Sequence, residues 1–154
     1  GFGLPSTFSY ENLGEVRDKG IELGIDGAVN EHVTVYANYS WQDQPEPKGF
    51  SISDLNLPPT HRFNAGAGVT VGRVLGTVGV TYQDEAFWQD VLDARYNGAT
   101  GAFTQVNASL GVKLAGGRAM ATVKVNNLFN EEIQQHIFGD VLKRQVMGEF
   151  RVKF

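Results

Sequence analysis

Cysteine is absent from this chain of 154 residues. That excludes a disulfide framework, a thiolate-held zinc or iron–sulfur centre and a cysteine nucleophile, and leaves the redox compartment open. Basic residues are few: thirteen Lys and Arg stand against seventeen Asp and Glu, a formal charge of −4. Their scatter along the chain lacks the clustering that a phosphate backbone demands, so nucleic acid is not expected as a partner. No apolar run approaches the ~18 residues of a membrane-spanning helix. That test is blind to a membrane β-barrel, whose strands are apolar only at alternate positions. A sustained 3.6-residue apolar stripe is missing too, which removes long amphipathic helices.

What is present is alternation, and the chain reads as all-β. From Gln105 to Leu114, Val106, Ala108, Leu110, Val112 and Leu114 share one side, and Gln105, Asn107, Ser109, Gly111 and Lys113 the other. Successive side chains of a strand point to opposite faces, so this pattern predicts one apolar and one wet face. Similar rows begin at Ile21, Val33, Phe63, Val74 and Ala119, and a last one runs Val146, Gly148, Phe150, Val152 and Phe154. Seven strands are expected, with an eighth entering from Gly1 to Tyr10.

The links between them alternate in length. Asn30-Glu31, Gly72-Arg73 and Ala115 to Arg118 read as tight turns, whereas Asp43 to Thr60, Asp84 to Ala102 and Leu128 to Leu142 far exceed a hairpin loop of ~2 to 5 residues. In an up-and-down sheet every tight turn then falls on one rim and every long link on the other. That is the asymmetry of bacterial outer-membrane barrels. Ten residues at ~3.3 Å with a ~45° tilt rise roughly 24 Å, matching the ~25 Å apolar band of such barrels. Tyr39, Trp41, Phe63, Tyr82 and Phe103 fall near the long-link ends as an expected upper aromatic girdle, with Phe150 and Phe154 as a lower one. A soluble sandwich or lipocalin-like carrier would alternate too, with its apolar rows turned inward. It gives no reason for long and short links to segregate.

Catalysis finds no constellation. There is no Gly-x-Ser-x-Gly elbow and no phosphate-binding glycine pattern. His32, His61 and His136 fall in different elements, and only His61 and His136 share a rim. Neither cofactor nor resident metal is expected, and the chain is not expected to be an enzyme. The link opening at Asp84 combines Glu85, Asp90 and Asp93 with Phe87 and Trp88. Carboxylates beside exposed rings suit a cationic ligand, a sugar or a chelate. Asp84, Glu85, Phe87, Trp88, Asp90 and Asp93, with His61 and His136, are the candidate ligand residues.

Four segments, in order, resemble the TonB-dependent outer-membrane receptors, in the C-terminal part of their barrel. Asn12-Leu13-Gly14 followed by Gly20-Ile21-Glu22 is similar to the family's strand opening. Leu57-Pro58-Pro59-Thr60-His61-Arg62-Phe63-Asn64 resembles its descent from an outer loop. Asn126-Asn127-Leu128-Phe129-Asn130 resembles the segment near its penultimate strand, and Gly148 to Phe154 its closing strand with a final aromatic. Gln134 to Gln145 is similar to a segment of Oar-like members. The resemblance implies an antiparallel up-and-down transmembrane segment, seven to eight strands of a 22-stranded barrel, with residues 1–154 as the C-terminal part and the plug and N-terminal strands lying outside it. It implies active uptake of a large scarce solute, of the siderophore, cobalamin, glycan or peptide class, in the bacterial outer membrane. The implied partners are outer-membrane lipid, the plug and remaining strands, TonB acting through the plug, and the barrel-assembly machinery reading Gly148, Phe150, Val152 and Phe154. A small structural or adhesin-like barrel is the rival from another class.

Overall fold

In the computed structural model, which describes residues 14–90 and 93–154, the described residues form eleven strands. They are β1 (Glu15–Arg17), β2 (Gly20–Ala28), β3 (Val33–Gln42), β4 (Glu46–Lys48), β5 (His61–Val71), β6 (Val74–Gln83), β7 (Ala86–Trp88), β8 (Gly98–Thr100), β9 (Phe103–Leu114), β10 (Ala119–Asn126) and β11 (Gln145–Val152). Seven of them, in the order β11-β10-β9-β6-β5-β3-β2, make one sheet in which chain neighbours pair antiparallel throughout. This is the up-and-down order expected from the alternating links. The proposed eighth strand and the Asn12-Leu13 part of the opening motif lie outside the described residues.

Register carries the apolar row across the whole sheet. Leu23 opposes Tyr39, Tyr39 opposes Phe63, and Phe63 opposes Tyr82. Further along, Gly76 opposes Leu110, Leu110 opposes Val123, and Val123 opposes Gly148. A one-residue slip would scatter this face, so the pattern and the pairing fix each other. The face is open: Ile25 is 71%, Leu110 58% and Phe150 66% exposed. Among the described residues no second layer packs on it. Among the described residues the buried apolar side chains are Ala86, Phe103 and Ile133, all at the long-link end rather than under the sheet. A soluble domain would leave such a patch to aggregate.

Two tight turns show why they are tight. Asn30 caps the first, its Oδ1 accepting from the amides of His32 at 2.8 Å and Val33 at 2.9 Å. The two-residue link between β5 and β6 places Gly72 at φ +58, where a side chain is disfavoured. On the wet face Tyr36 lies over the glycines of its neighbours: a Cβ added at Gly66 would sit 2.6 Å from its ring and one at Gly79 3.0 Å from its hydroxyl.

Two expectations need correction. Phe103 does not belong to the outer girdle. It pairs with Gln83, while Thr104 pairs with Tyr82, so Phe103 falls on the wet face, where it is 5% exposed. The alternation that begins at Ile21 runs through Leu23, Ile25 and Gly27 and puts Val29 last in that apolar row, but β2 ends at Ala28 and Val29 enters the turn, its amide donating to the carbonyl of Val33 at 2.8 Å.

Candidate functional site

The long links are built structures. In the first, β4 folds back on β1, and a short helical turn at Ile52–Asp54 is closed by a capping box from Ser51 and Asp54. In the second, β7 pairs with β8, and Asp93 caps the turn Ala94–Tyr96 by accepting from the amide of Arg95 at 3.0 Å. In the third, Ile133 bridges Leu142, and Asn127, only 1% exposed at φ +54, ties the chain down. Its Nδ2 donates to the carbonyl of Glu131 at 2.7 Å and its Oδ1 accepts from the amide of Glu131 at 3.0 Å. Here the Asn-rich segment has a physical meaning: a side-chain amide imitates a backbone pair where the left-handed conformation breaks the strand.

The three links also meet one another. Leu57 and Phe87 exchange two backbone hydrogen bonds of 2.9 Å, and Asn56 Oδ1 accepts from the amide of Gln89 at 2.7 Å. The rings of Trp88 and His136 stand 4.4 Å apart, and those of His136 and Phe138 5.8 Å. A cavity of about 390 Å³ opens where the first two links and Gln135 of the third converge, with Asn56, Pro58, Gln83, Phe87 and Trp88 in its lining.

The eight candidate residues therefore divide. Phe87, Trp88 and His136 come together. His61 stands apart with Tyr39, whose hydroxyl lies 2.8 Å from its Nδ1 and whose ring stacks at 6.0 Å. Asp84 joins that second group: it accepts from the Tyr82 hydroxyl and, at 3.2 Å, from the amide of His61. Asp90 accepts from the amide of Asp93 at 2.9 Å. Asp93 grips Arg95 through both carboxylate oxygens, at 2.9 Å and 3.0 Å from Nε, which holds its carboxyl below the usual range and the guanidinium above its own. Glu132 is lowered in the same way by Lys143, 2.6 Å away. Glu85 stays exposed. Among the described residues no three His, Asp or Glu converge to hold a metal ion. Of the carboxylates expected to meet a ligand, Asp90 and Asp93 are occupied in shaping their own link and Asp84 in tying it to β5 and β6.

Sequence reading missed Asn56, Pro58, Gln83 and Gln135, because each acquires its role only from contact between links far apart in the chain. Gly148, Phe150 and Val152 lie on the apolar row of β11, with Gly148 opposite Val123, Phe150 opposite Ala121 and Val152 opposite Ala119.

An uncovered apolar face, a wet reverse face, tight turns at one rim and elaborated links at the other define a segment of outer-membrane β-barrel wall. The family model "TonB dependent receptor-like, beta-barrel" matches residues 1–128, and the chain belongs to that family. Its place is accordingly the bacterial outer membrane. Two solved structures share the fold. The ferric-catecholate import receptor Fiu of E. coli K12 has a TM-score of 0.65 at 17% identity over 90% of this chain. The siderophore receptor PiuA of Acinetobacter baumannii has 0.62 at 18% over 88%. The chain spans about a fifth of each, 20% in both cases. No curated protein matches in sequence.

Proposed function

We propose that residues 1–154 are the C-terminal part of the barrel of a TonB-dependent transporter, which takes up a large, scarce solute. In this reading the strands are wall, the three long links face the outside, and the tight turns face the periplasm. A plug and the remaining strands complete the barrel, because a sheet edge left unpaired in hydrocarbon costs several kcal/mol per group. TonB acts on the plug, and lipid covers the face that carries Leu23, Leu110 and Val123. The observation that carries the reading is that face, continuous in register over seven strands with no dry core behind it among the described residues.

β11 supplies a second element. Its row of Gly148, Phe150 and Val152, continued by Phe154, has the alternate spacing expected of the signal read by the barrel-assembly machinery. The small structural or adhesin-like barrel lacks comparable support, and family membership removes the lipocalin-like carrier. Siderophore, cobalamin, glycan and peptide remain the solute classes.

The test is uptake by cells expressing the full-length receptor with and without a functional TonB. Loss of high-affinity uptake in the TonB-deficient strain is expected. Undiminished uptake, saturating no differently from a porin's, would overturn the proposal.

A further inference from the structure

The cavity between the long links has a chemistry of its own. None of the described residues that line it is charged. Trp88 and Phe87 give it aromatic surface and Pro58 a flat apolar one, while Asn56, Gln83 and Gln135 bring side-chain amides, each able to donate and accept. The amides of Gln83 and Gln135 make no hydrogen bond with any described group, and Asn56 uses only its oxygen, for Gln89. Trp88 is held in place from both sides, its Nε1 donating to Thr100 at 3.4 Å and its ring packed on His136.

The links that form this cavity carry the wrong sign of charge for an anionic chelate. The links 43–60, 84–102 and 127–144 carry ten Asp and Glu against four Lys and Arg. A site meant to gather a multiply charged anion would be lined and rimmed with cations, since surface potential steers charged ligands and like charges repel them. A ligand with hydroxyls in fixed directions and an apolar C–H face meets both halves of the lining: the amides pair with vicinal hydroxyls and a ring covers the C–H face.

From this geometry we infer that the cavity is a subsite for a neutral saccharide. The inference deepens, and rests on, the proposed import function, because it assigns the solute class to that receptor's outer links. About 390 Å³ lies at the lower end of small-molecule sites, ~300 to 1,000 Å³, and so accommodates one or two sugar rings of a longer chain.

The test uses the full-length receptor in detergent, titrated with maltotriose, cellotriose, xylotriose and triacetylchitotriose. A ferric tricatecholate, cyanocobalamin and trialanine serve as comparison ligands. At least one trisaccharide binds, with affinity that holds between ~0.05 and ~0.5 M salt, as screening cannot weaken a neutral contact. Trp88→Ala weakens it tenfold or more. Gln135→Ala, at an exposed position where folding is not at stake, weakens it about threefold. The inference fails if no trisaccharide binds, if trialanine or the chelate binds in their place, or if both variants bind sugar as the parent does. TonB-dependent uptake of the chelate without sugar binding sinks the saccharide and spares the transporter. Sugar binding without TonB-dependent uptake does the reverse.

Discussion

The two rims of this sheet are made by opposite means. At the long-link end, short strands, capped turns and side-chain amides knit three links into a shaped surface with an excess of carboxylates. At the tight-turn end, links of two to four residues leave nothing to shape, and away from the β2–β3 turn, which holds Glu31, charge of the other sign collects. Arg73, Lys113, Arg118, Arg151 and Lys153 gather at that end of β6, β9, β10 and β11, strands whose one carboxylate is Glu149. The Lys113 amide donates to the Arg73 carbonyl at 2.8 Å, and the Lys153 amide to the Arg118 carbonyl at 2.8 Å, so two pairs of cations stand directly opposed. Glu149 is already held by Lys124 at 2.8 Å and Arg151 at 2.7 Å. Hydrogen bonds between links are concentrated where the links are long, and at the other rim Arg73, Lys113, Arg118 and Lys153 have no carboxylate partner among the described residues.

The comparison depends first on the band between the rims being lipid-facing. Leu110→Arg, at the middle of the apolar row, is expected to destabilise the inserted full-length receptor by about 2 to 4 kcal/mol, as an arginine does at a bilayer midplane. The same urea titration in bilayers should find Arg118→Leu, at the tight-turn rim, within about 1 kcal/mol of the parent. Equal effects at both positions would remove the membrane band and with it the meaning of the two rims.

Next comes the anchoring of the long-link rim. Asn127→Ala strips the amide and carbonyl of Glu131 of their partners in a buried place and leaves alanine at φ +54, and should cost about 1 to 3 kcal/mol. Protease cleavage within 127–144 should rise while β11 stays paired. A loss spread evenly over the sheet would mean that Asn127 supports the strands rather than the link.

How much of this was open to reading from the chain follows from the period of each element. Strands of eight to twelve residues announce themselves by alternation, and all seven sheet strands lie where their rows put them. Phe103 shows the limit: it is one residue out of step with Val106 and Leu110, and position in the row outranks aromatic character. β1, β4, β7 and β8 are three residues each, too short for any period, and their pairing is set by contacts such as Glu15 with Lys48, 33 positions on. The cavity is further from view. Its lining joins residue 56 to residue 135, stretches brought together by the Leu57–Phe87 bridge, the Asn56–Gln89 hydrogen bond and the Trp88–His136 contact. The basic rim was equally hidden, because cations scattered in sequence become neighbours only when the strands are paired.

That rim yields a smaller effect of unusual sign. Like charges directly opposite across an antiparallel pair are destabilising, and opposite charges contribute roughly 0.2 to 1 kcal/mol. Arg73→Glu should therefore stabilise the receptor by about that amount by giving Lys113 a partner. Urea midpoints at low and high salt measure it, with the gain shrinking as salt rises. A loss of stability would show that Arg73 already has an anionic neighbour in the assembled barrel.

The smallest effect belongs to the other rim and to acid. Asp93 and Glu132 have folded pKa values below their ordinary ones, through hydrogen bonds from Arg95 and Lys143 respectively. A depressed carboxyl contributes stability above its unfolded pKa and loses it as pH falls through the folded value. The long links should accordingly loosen only below the ordinary carboxylate range and be unaffected between neutral and alkaline pH. Glu132 and Lys143 are both solvated, and Arg95 is exposed beside a partly covered Asp93, so the change is confined to the links and leaves global unfolding untouched. Hydrogen exchange of 84–102 and 127–144 read against pH resolves it, with Asp93→Asn and Glu132→Gln each flattening the acid limb of its own link. An acid limb that survived both substitutions would assign the titration to another carboxylate of this rim, and faster exchange at the tight turns over the same range would mean that acid acts on both ends alike.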